Sequence, residues 1–217
     1  MKIALVGGTG DIGTGFAVRW AANHEIIIGS RKADKAIESA EAVNKLLVNG
    51  SVRGTDNGSA IASADVVVLC VPYEHLVSVT RDLAASYKSQ LVISPVVPMI
   101  YNGKFFQFTP PAEGSAALQA KSMLPDGMKI ISAFHTICAA ALQAKDRELK
   151  ADAFICGDEP EAIDTVVGLA QEIKSLRPLK AGPLAASAMV ESLTPMLLNV
   201  ARRNKIKDAG IAIVSER

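Results

Sequence analysis

Three glycines near the amino terminus have the spacing needed to bind a phosphate group. Gly8, Gly10 and Gly13 come soon after the apolar run Lys2–Val6, and a helical pattern begins between the second and the third of these glycines. In such a loop the first glycine permits a tight turn, the second lets a pyrophosphate approach the backbone, and the third lets the helix pack closely. The N–H groups at the helix start attract the phosphates. The predicted dinucleotide loop comprises Gly8, Thr9, Gly10, Asp11, Ile12 and Gly13.

The residues after the second apolar run, Glu25–Gly29, indicate which dinucleotide is bound. Ser30, Arg31 and Lys35 stand where sites for NAD place an acid that accepts hydrogen bonds from ribose hydroxyls. An acid would repel a 2′-phosphate, whereas a hydroxyl and cations bind it. Cations are disfavoured at a helix start, so this cluster needs another reason. The pattern favours NADP(H) over NAD; a merely solvated helix start is the alternative.

Two later strand ends are predicted to line the same crevice. The fourth apolar run ends in Cys70-Val71-Pro72, and the fifth is followed by Val97. Ligands in open parallel sheets bind at the carboxyl ends of the strands. We therefore expect Val71 and Val97 to form apolar walls for the dinucleotide. His75 begins the next helix and is either a cofactor contact or a surface histidine.

The elements that must position these residues alternate along the chain. Apolar runs predict strands near residues 2–6, 25–29, 51–55, 65–71, 90–94, 129–133, 153–156 and 178–181. Helical patterns cover residues 11–22, 33–47, 57–63, 73–86, 112–123, 159–175 and 185–204, and residues 95–111 are expected to be irregular. Strands rich in Val, Ile and Leu between helices indicate an α/β fold with a Rossmann-type, doubly wound parallel sheet.

The chain is long enough for a nucleotide-binding domain with a smaller appendage. It has 217 residues, within the size range of one or two domains. We predict a Rossmann domain over residues 1–135 and a smaller C-terminal α/β-helical, substrate-binding part over residues 136–217, with a soft boundary because no linker separates them.

Composition and charge exclude several classes of partner. Net charge is +1 and aromatic residues are only 5%, so a general polyanion such as nucleic acid or an anionic membrane is not expected. The three cysteines lack metal-ligand spacing, which predicts reduced thiols and no metal site. The chain starts with a strand rather than a signal-peptide pattern. These features together predict a cytoplasmic protein.

Six segments together resemble the NADPH-dependent reductases of coenzyme F420. They are Gly-Gly-Thr-Gly-Asp-Ile-Gly at residues 7–13, Gly-Ser-Arg-Lys at 29–32, and the segments 93–98, 132–137, 176–183 and 190–195. Enzymes of that family pass a hydride between a reduced 5-deazaflavin and NADP. The likeness spans essentially the whole chain, and its later segments are more specific than the glycine motif.

The resemblance implies roles for particular residues. Those that it places against NADP are Thr9 to Ile12, Ser30, Arg31, Lys35, Val71, His75, Val97 and Ala139. It places His135, Ser192, Thr194 and the region of Ala209 against the deazaflavin. His135 would bond a ring carbonyl, and Ser192 and Thr194 would orient the ring; no acid or base is assigned.

Hydride transfer requires orientation of two rings more than reactive side chains. Donor and acceptor carbons must lie about 3–3.5 Å apart, and the cofactors supply the reactivity. Two alternatives share the amino-terminal evidence: an NADPH-dependent reductase of an imine, a flavin or a metal ion, and a non-enzymatic NADPH-sensing module. The last helix has more apolar surface than one small domain readily covers, which predicts a homodimer or higher homo-oligomer; the residues are Met189, Met196, Leu197, Leu198 and Val200.

Overall fold

A single eight-stranded sheet organises the molecule. The computed structural model describes residues 1–215. The strands are β1 (Lys2–Val6), β2 (Glu25–Ser30), β3 (Val52–Asp56), β4 (Val66–Leu69), β5 (Leu91–Ser94), β6 (Met99–Tyr101), β7 (Phe106–Phe108), β8 (Lys129–Ser132), β9 (Ala151–Cys156) and β10 (Leu176–Gly182). The large sheet has the order β10-β9-β8-β5-β4-β1-β2-β3, while β6 and β7 form a separate antiparallel hairpin.

Helices cover both faces of the sheet. They are α1 (Asp11–Trp20), α2 (Ala33–Asn44), α3 (Asn57–Ala62), α4 (Leu76–Thr80), α5 (Ala116–Met123), α6 (Ala139–Gln143), α7 (Pro160–Gln171) and α8 (Ser187–Asn204). Short 3₁₀ turns occupy Tyr73–His75, Ala84–Ser86 and Leu184–Ala186. The central strands β1, β4 and β5 are buried on both faces because apolar side chains point to each side.

The strand order confirms the predicted doubly wound Rossmann topology. From β1 the chain winds outward through β2 and β3, then returns to pair β4 on the other side of β1, and all these pairs are parallel. Ile3 is the register partner of both Ile26 and Val66. The strand order therefore reverses between β1 and β4, and a crevice opens at the carboxyl ends of these two strands.

The C-terminal strands extend the same sheet. β9 and β10 are parallel to each other, and β9 joins β8 in the antiparallel direction through the single pair Ser132 and Cys156. Arg177 and Asp152 form an ion pair of 2.7 Å across β9 and β10. The last two strands of the chain therefore extend the sheet beyond β8.

An aromatic cluster supports the backbone at the end of β8. Phe16 and Trp20 stack with ring centroids 4.4 Å apart, and Phe134 meets Phe16 edge-on at 5.2 Å. Phe134 has φ of 70°, in the left-handed region that bulky residues rarely adopt. The packed rings hold this strained backbone in place, and the strain fixes the direction in which the next residue, His135, leaves the strand.

Three segments differ from the sequence-based prediction. The helix predicted over residues 73–86 is broken into two 3₁₀ turns and the short α4. The connection predicted to be irregular contains the β6–β7 hairpin, and the five-residue α6 was not predicted.

The side-chain amide of Asn199 in α8 holds the hairpin by accepting from Phe106 N–H at 2.8 Å and donating to its carbonyl at 2.7 Å.

The C-terminal helix is unusually apolar for its length. By length and composition the segment Leu184–Asn204 could cross a membrane, a possibility that the apolar runs of the sequence did not suggest. A core helix of a water-soluble protein has the same properties. In this fold the middle of α8 packs on protein, since the carboxylate of Glu191 and the ring of Pro195 are buried.

Candidate active site

The glycine loop folds as a tight turn held by backbone hydrogen bonds. Gly8 N–H donates to the carbonyls of Leu5 and Gly29, both at 3.0 Å. A Cβ on Gly8 would lie 2.6 Å from the Leu5 carbonyl oxygen, and one on Gly13 would collide with the Gly8 backbone. The left-handed residue is Gly7, with φ of 69°, so the turn that we assigned to Gly8 begins one residue earlier.

Gly10 is the point where the loop is open to a ligand. A Cβ on Gly10 would meet no atom within 4 Å, and the residue precedes the first turn of α1. Free N–H groups at this turn and the open backbone suit a pyrophosphate. The buried side chain of Asn57 accepts a 3.1 Å hydrogen bond from Gly7 N–H and so fixes the loop from behind.

A cavity of about 670 Å³, here the loop cavity, lies in front of the glycines. Its lining includes Thr9, Gly10, Ser30, Arg31, Lys32, Lys35, Asn57, Val71 and His75. The structure therefore brings together most of the residues that we predicted to contact NADP, because the ends of β1, β2 and β4 meet at one edge of the sheet. The lining contains no acidic residue.

The side of the loop cavity next to β2 has the charge needed for a phosphate. Ser30 is buried at the end of β2, and its Oγ accepts a 3.3 Å hydrogen bond from Lys32 N–H. Arg31 and Lys35 have exposed side chains, and neither makes an ion pair within residues 1–215. Two unpaired cations beside a hydroxyl make a local anion site in a chain of almost neutral net charge.

A second cavity of about 520 Å³, here the ring cavity, adjoins the first. It is mostly apolar, and its lining includes Ile12, Val71, Tyr73, Val97, Met99, Phe134, His135, Ile137 and Thr194. Cys70, Val71 and Pro72 line both cavities. A ligand can therefore extend from the glycine loop past the end of β4 into a mostly apolar space.

His135 is one of the polar residues that line the ring cavity, together with Glu74 and Thr194. Its side chain is only 7% exposed, and Nε2 lies 3.4 Å from the Ser132 hydroxyl. Burial lowers the pKa of His135 to about 4, and a hydrogen bond with the Ser94 backbone acts in the opposite direction. The imidazole is therefore neutral at neutral pH, with one nitrogen that donates and one that accepts.

Of the two hydroxyl residues predicted on the last helix, one reaches the ring cavity. Thr194 lines this cavity, and its hydroxyl donates a 2.8 Å hydrogen bond to the His135 carbonyl. Ser192 lies in a separate groove of about 430 Å³ under the hairpin and donates to the Met189 carbonyl at 2.8 Å. Residues two positions apart on a helix face different directions.

Five other predicted contacts line neither cavity, namely Gly8, Asp11, Gly13, Ala139 and Ala209. Ala209 lines a smaller cavity of about 220 Å³ together with Cys138 and Arg147. Ala139 begins α6 and is half-buried. Ile137 lines both this smaller cavity and the ring cavity, so the Ala209 region is adjacent to the ring cavity but does not form its wall.

Residues that the sequence did not single out also shape the site. Tyr73 lines the ring cavity just past Pro72, a position that the strand-end rule could have identified. Gln143 in α6 donates to Thr14 Oγ1 at 2.8 Å and to Asp11 Oδ1 at 3.3 Å. The buried guanidinium of Arg19 donates to four carbonyls between residues 141 and 147. These contacts hold α6 against α1, for which the sequence offered no local signal.

Comparison with known proteins identifies the family. A family model described as NADP oxidoreductase, coenzyme F420-dependent, matches residues 2–98. A curated F420-dependent NADP reductase from Methanocaldococcus jannaschii is 36% identical over 221 residues, which cover 99% of each chain. The chain belongs to the family of F420-dependent NADP oxidoreductases. The resemblance predicted from the six sequence segments is thereby confirmed.

Membership in the F420-dependent NADP oxidoreductase family accounts for the whole chain. A second curated relative, the F420-dependent NADP reductase of Methanothermobacter thermautotrophicus, is 36% identical and aligns with 99% of this chain and 95% of its own length. A solved structure from Arthrobacter sp. FB24, provisionally named an F420-dependent NADP reductase, has a TM-score of 0.83 at 20% identity and covers 99% of this chain and all of its own. At that identity the solved structure supports the fold.

Proposed function

We propose that the chain is an oxidoreductase that transfers a hydride between NADP(H) and coenzyme F420. The observation that carries this proposal is the contact between the two cavities, which share Cys70, Val71 and Pro72. One has the glycines and cations that a phosphorylated dinucleotide requires, and the other is an apolar space suited to flat rings. The curated relatives bear the name of this reaction.

The amino-terminal residues bind and orient NADP(H). The loop from Gly8 to Gly13 presents its backbone to the pyrophosphate at the start of α1. Ser30, Arg31 and Lys35 bind the 2′-phosphate by charge-assisted hydrogen bonds. His75 contacts the adenosine side, and Val71 and Val97 are apolar walls farther along. Ala139 begins α6, which the hydrogen bonds of Arg19 and Gln143 hold against α1, and we assign it to the outer border of the NADP site.

The ring cavity orients the deazaflavin and excludes water. The bound nicotinamide supplies the hydride chemistry. The neutral His135 ring bonds a carbonyl of the deazaflavin, and Thr194 holds the His135 backbone in place. We assign Ser192 and Ala209 to the outer border of this substrate, from the groove and the smaller cavity next to the ring cavity. No residue is assigned a proton-transfer role.

Domain organisation, assembly and location follow as parts of the proposal. Residues 1–135 form the NADP-binding domain, and residues 136–217 contribute to the deazaflavin site. The exposed apolar side chains of Met189, Met196 and Val200 on α8 support a homodimer or higher homo-oligomer. Its partners are small molecules rather than nucleic acid or membrane, and its free buried thiols suit a reducing cytoplasm. Light scattering coupled to size exclusion measures the subunit count.

A comparison of acceptors separates this function from its alternatives. Purified protein is mixed with NADPH or NADH and with a deazaflavin, a flavin, a ferric chelate or a cyclic imine. The proposal predicts NADPH oxidation coupled to deazaflavin reduction, with little activity from NADH. Turnover only with an imine, a flavin or the metal would favour the first alternative. Tight NADPH binding without turnover of any acceptor would favour a sensing module.

A further inference from the structure

A fully buried carboxylate joins the C-terminal helix to the nucleotide-binding domain. Glu191 in α8 has 0% exposure. Its two oxygens accept hydrogen bonds from Ala116 N–H at 2.9 Å and Ala117 N–H at 3.1 Å. These N–H groups belong to the first turn of α5, where a helix has no internal acceptors and favours a negative charge. One side chain thus links two helices that lie 75 residues apart in the chain.

This link lies one turn from the wall of the ring cavity. Glu191 and Thr194 are three positions apart on α8 and therefore share a face of the helix. On that face Glu191 bonds α5, while Thr194 bonds the His135 carbonyl at 2.8 Å. The position of Thr194 at the cavity therefore depends on two anchors, of which Glu191 is the more deeply buried.

A carboxylate at this position is costly for a purely structural contact. Burial raises the pKa of Glu191 to about 7, while the Ala116 and Ala117 N–H groups act in the opposite direction. Burying a charged group costs free energy unless hydrogen bonds compensate for the lost water. A carboxylate in such surroundings specifies one arrangement of the two helices, because only one position satisfies both N–H groups.

The negative charge of Glu191 also acts on two other side chains, one of which lines the ring cavity. The phenol of Tyr73 and the thiol of Cys156 both have pKa values raised, first by burial and further by the negative charge of Glu191. Tyr73 lines the ring cavity. Glu191 itself is fully buried and does not line the ring cavity, so a ligand there cannot reach it.

We propose that Glu191 is a positioning residue. It holds α8 on α5 and thereby keeps Thr194 and His135 in the positions at the wall of the ring cavity that deazaflavin binding requires. This inference rests on the proposed function. It assigns no chemistry to Glu191, and it predicts that the binding of the two substrates depends on this residue to different degrees. The proposed NADP(H) site lies at the ends of β1, β2 and β4, and none of the described residues that line the loop cavity belongs to α8.

The test is the isosteric substitution Glu191→Gln, with Asp65→Asn, at an exposed carboxylate, as the control. Gln keeps one acceptor but leaves an N–H of α5 facing an amide NH₂, at a cost that corresponds to about tenfold in an equilibrium. Asp65 also accepts from a backbone N–H, that of Lys2 at 2.8 Å, but at the opposite edge of the sheet. We expect E191Q to raise the KM for the deazaflavin about tenfold while the KM for NADPH changes less than about twofold. D65N should change neither.

A deazaflavin KM in E191Q equal to that of the wild type would overturn the proposal, even if the thermal midpoint fell. If E191Q does not fold, Asp158→Asn tests the same helix, because Asp158 Oδ1 accepts from Leu184 N–H at 3.0 Å just before α8. D158N should shift the deazaflavin KM in the same direction. Unchanged kinetics in D158N would then reject the proposal.

Amide hydrogen exchange separates this inference from the proposed function. If the wild type does not react with the deazaflavin, the proposed function fails, yet the anchor can still be measured. E191Q should then speed exchange at the start of α5 and in α8, while D65N leaves both protected. Equal protection in the two variants would show that Glu191 does not hold the helix.

Discussion

The hydroxyl of Thr194 donates a 2.8 Å hydrogen bond to the backbone carbonyl of His135, and both residues line the ring cavity. The contact connects the last helix to the end of β8, where Phe134 holds a left-handed backbone. It brings residues 59 positions apart to one wall. The shape of the ring cavity therefore depends on how the C-terminal helix docks.

Thr194→Val should weaken deazaflavin binding with little effect on NADPH. Valine keeps the shape of threonine but leaves the His135 carbonyl without its donor, a loss of about 1 kcal/mol or roughly fivefold. Steady-state kinetics with each substrate varied in turn measures this. The control is Thr165→Val, whose hydroxyl donates to the Glu161 carbonyl on the exposed side of α7. Equal KM values for the deazaflavin in the two variants would argue against the proposed role of Thr194.

Arg31→Ala should weaken NADPH far more than NADH. In the proposed site the guanidinium contacts the 2′-phosphate, which NADH lacks, and a charge-assisted hydrogen bond contributes about 1.5–3 kcal/mol, roughly 10- to 100-fold. Fluorescence titration of both dinucleotides checks this, with Lys88→Ala as a control on an exposed lysine outside the loop cavity. Equal weakening of NADPH and NADH would remove Arg31 from the phosphate site.

Two alanine substitutions in the glycine loop should have different consequences. A Cβ on Gly10 meets open space, so Gly10→Ala should fold normally yet raise the KM for NADPH about tenfold by obstructing the pyrophosphate. A Cβ on Gly13 collides with the Gly8 backbone, so Gly13→Ala should also lower stability by about 1–3 kcal/mol. Thermal unfolding and kinetics together distinguish them. A large loss of stability in G10A would contradict the open position of Gly10.

His135 should make the fold less stable in acid. Its folded pKa is lowered to about 4 by burial, from an ordinary value of 6.5. Because the unfolded chain binds a proton that the folded chain excludes, stability falls as pH decreases from about 6.5 toward 4. Between pH 7 and pH 5 this residue should account for about 2 kcal/mol.

Urea unfolding of the wild type and of His135→Asn at these two pH values measures that contribution. The substitution alters packing at both pH values, so the informative quantity is the pH-dependent part of the unfolding free energy. It should shrink by about 2 kcal/mol in the variant. An unchanged pH dependence would mean that His135 titrates normally in the folded protein.

The sheet and the loop cavity were predictable because their signals are local. The apolar run Lys2–Val6, the glycines after it and the Ser30–Arg31 pair each occupy a few consecutive residues. Once the runs are taken as parallel strands, their carboxyl ends must meet at one edge. That rule placed Val71 at the crevice, whereas His75, which it left as either a cofactor contact or a surface histidine, proves to line the loop cavity.

The remaining features depend on contacts between distant segments. The β6–β7 hairpin has three-residue strands in a proline-bounded segment, and it is held by Asn199, about 93 residues away. Ser192 and Thr194 look equivalent in the sequence, and only the docking of α8 directs Thr194 into the ring cavity. Glu191 resembles any surface glutamate until α5 is placed against it.

The most direct test of the account follows the hydride itself. NADPH carrying deuterium at the transferable position of nicotinamide C4 is mixed with the enzyme and an oxidised deazaflavin. The mass of the reduced deazaflavin is then measured by mass spectrometry. A hydride delivered across the ring cavity predicts one deuterium on carbon in the reduced deazaflavin, in water of ordinary isotopic composition. A reduced product that carries only solvent hydrogen, or a deazaflavin left oxidised while NADPH is consumed, would contradict the proposed transfer.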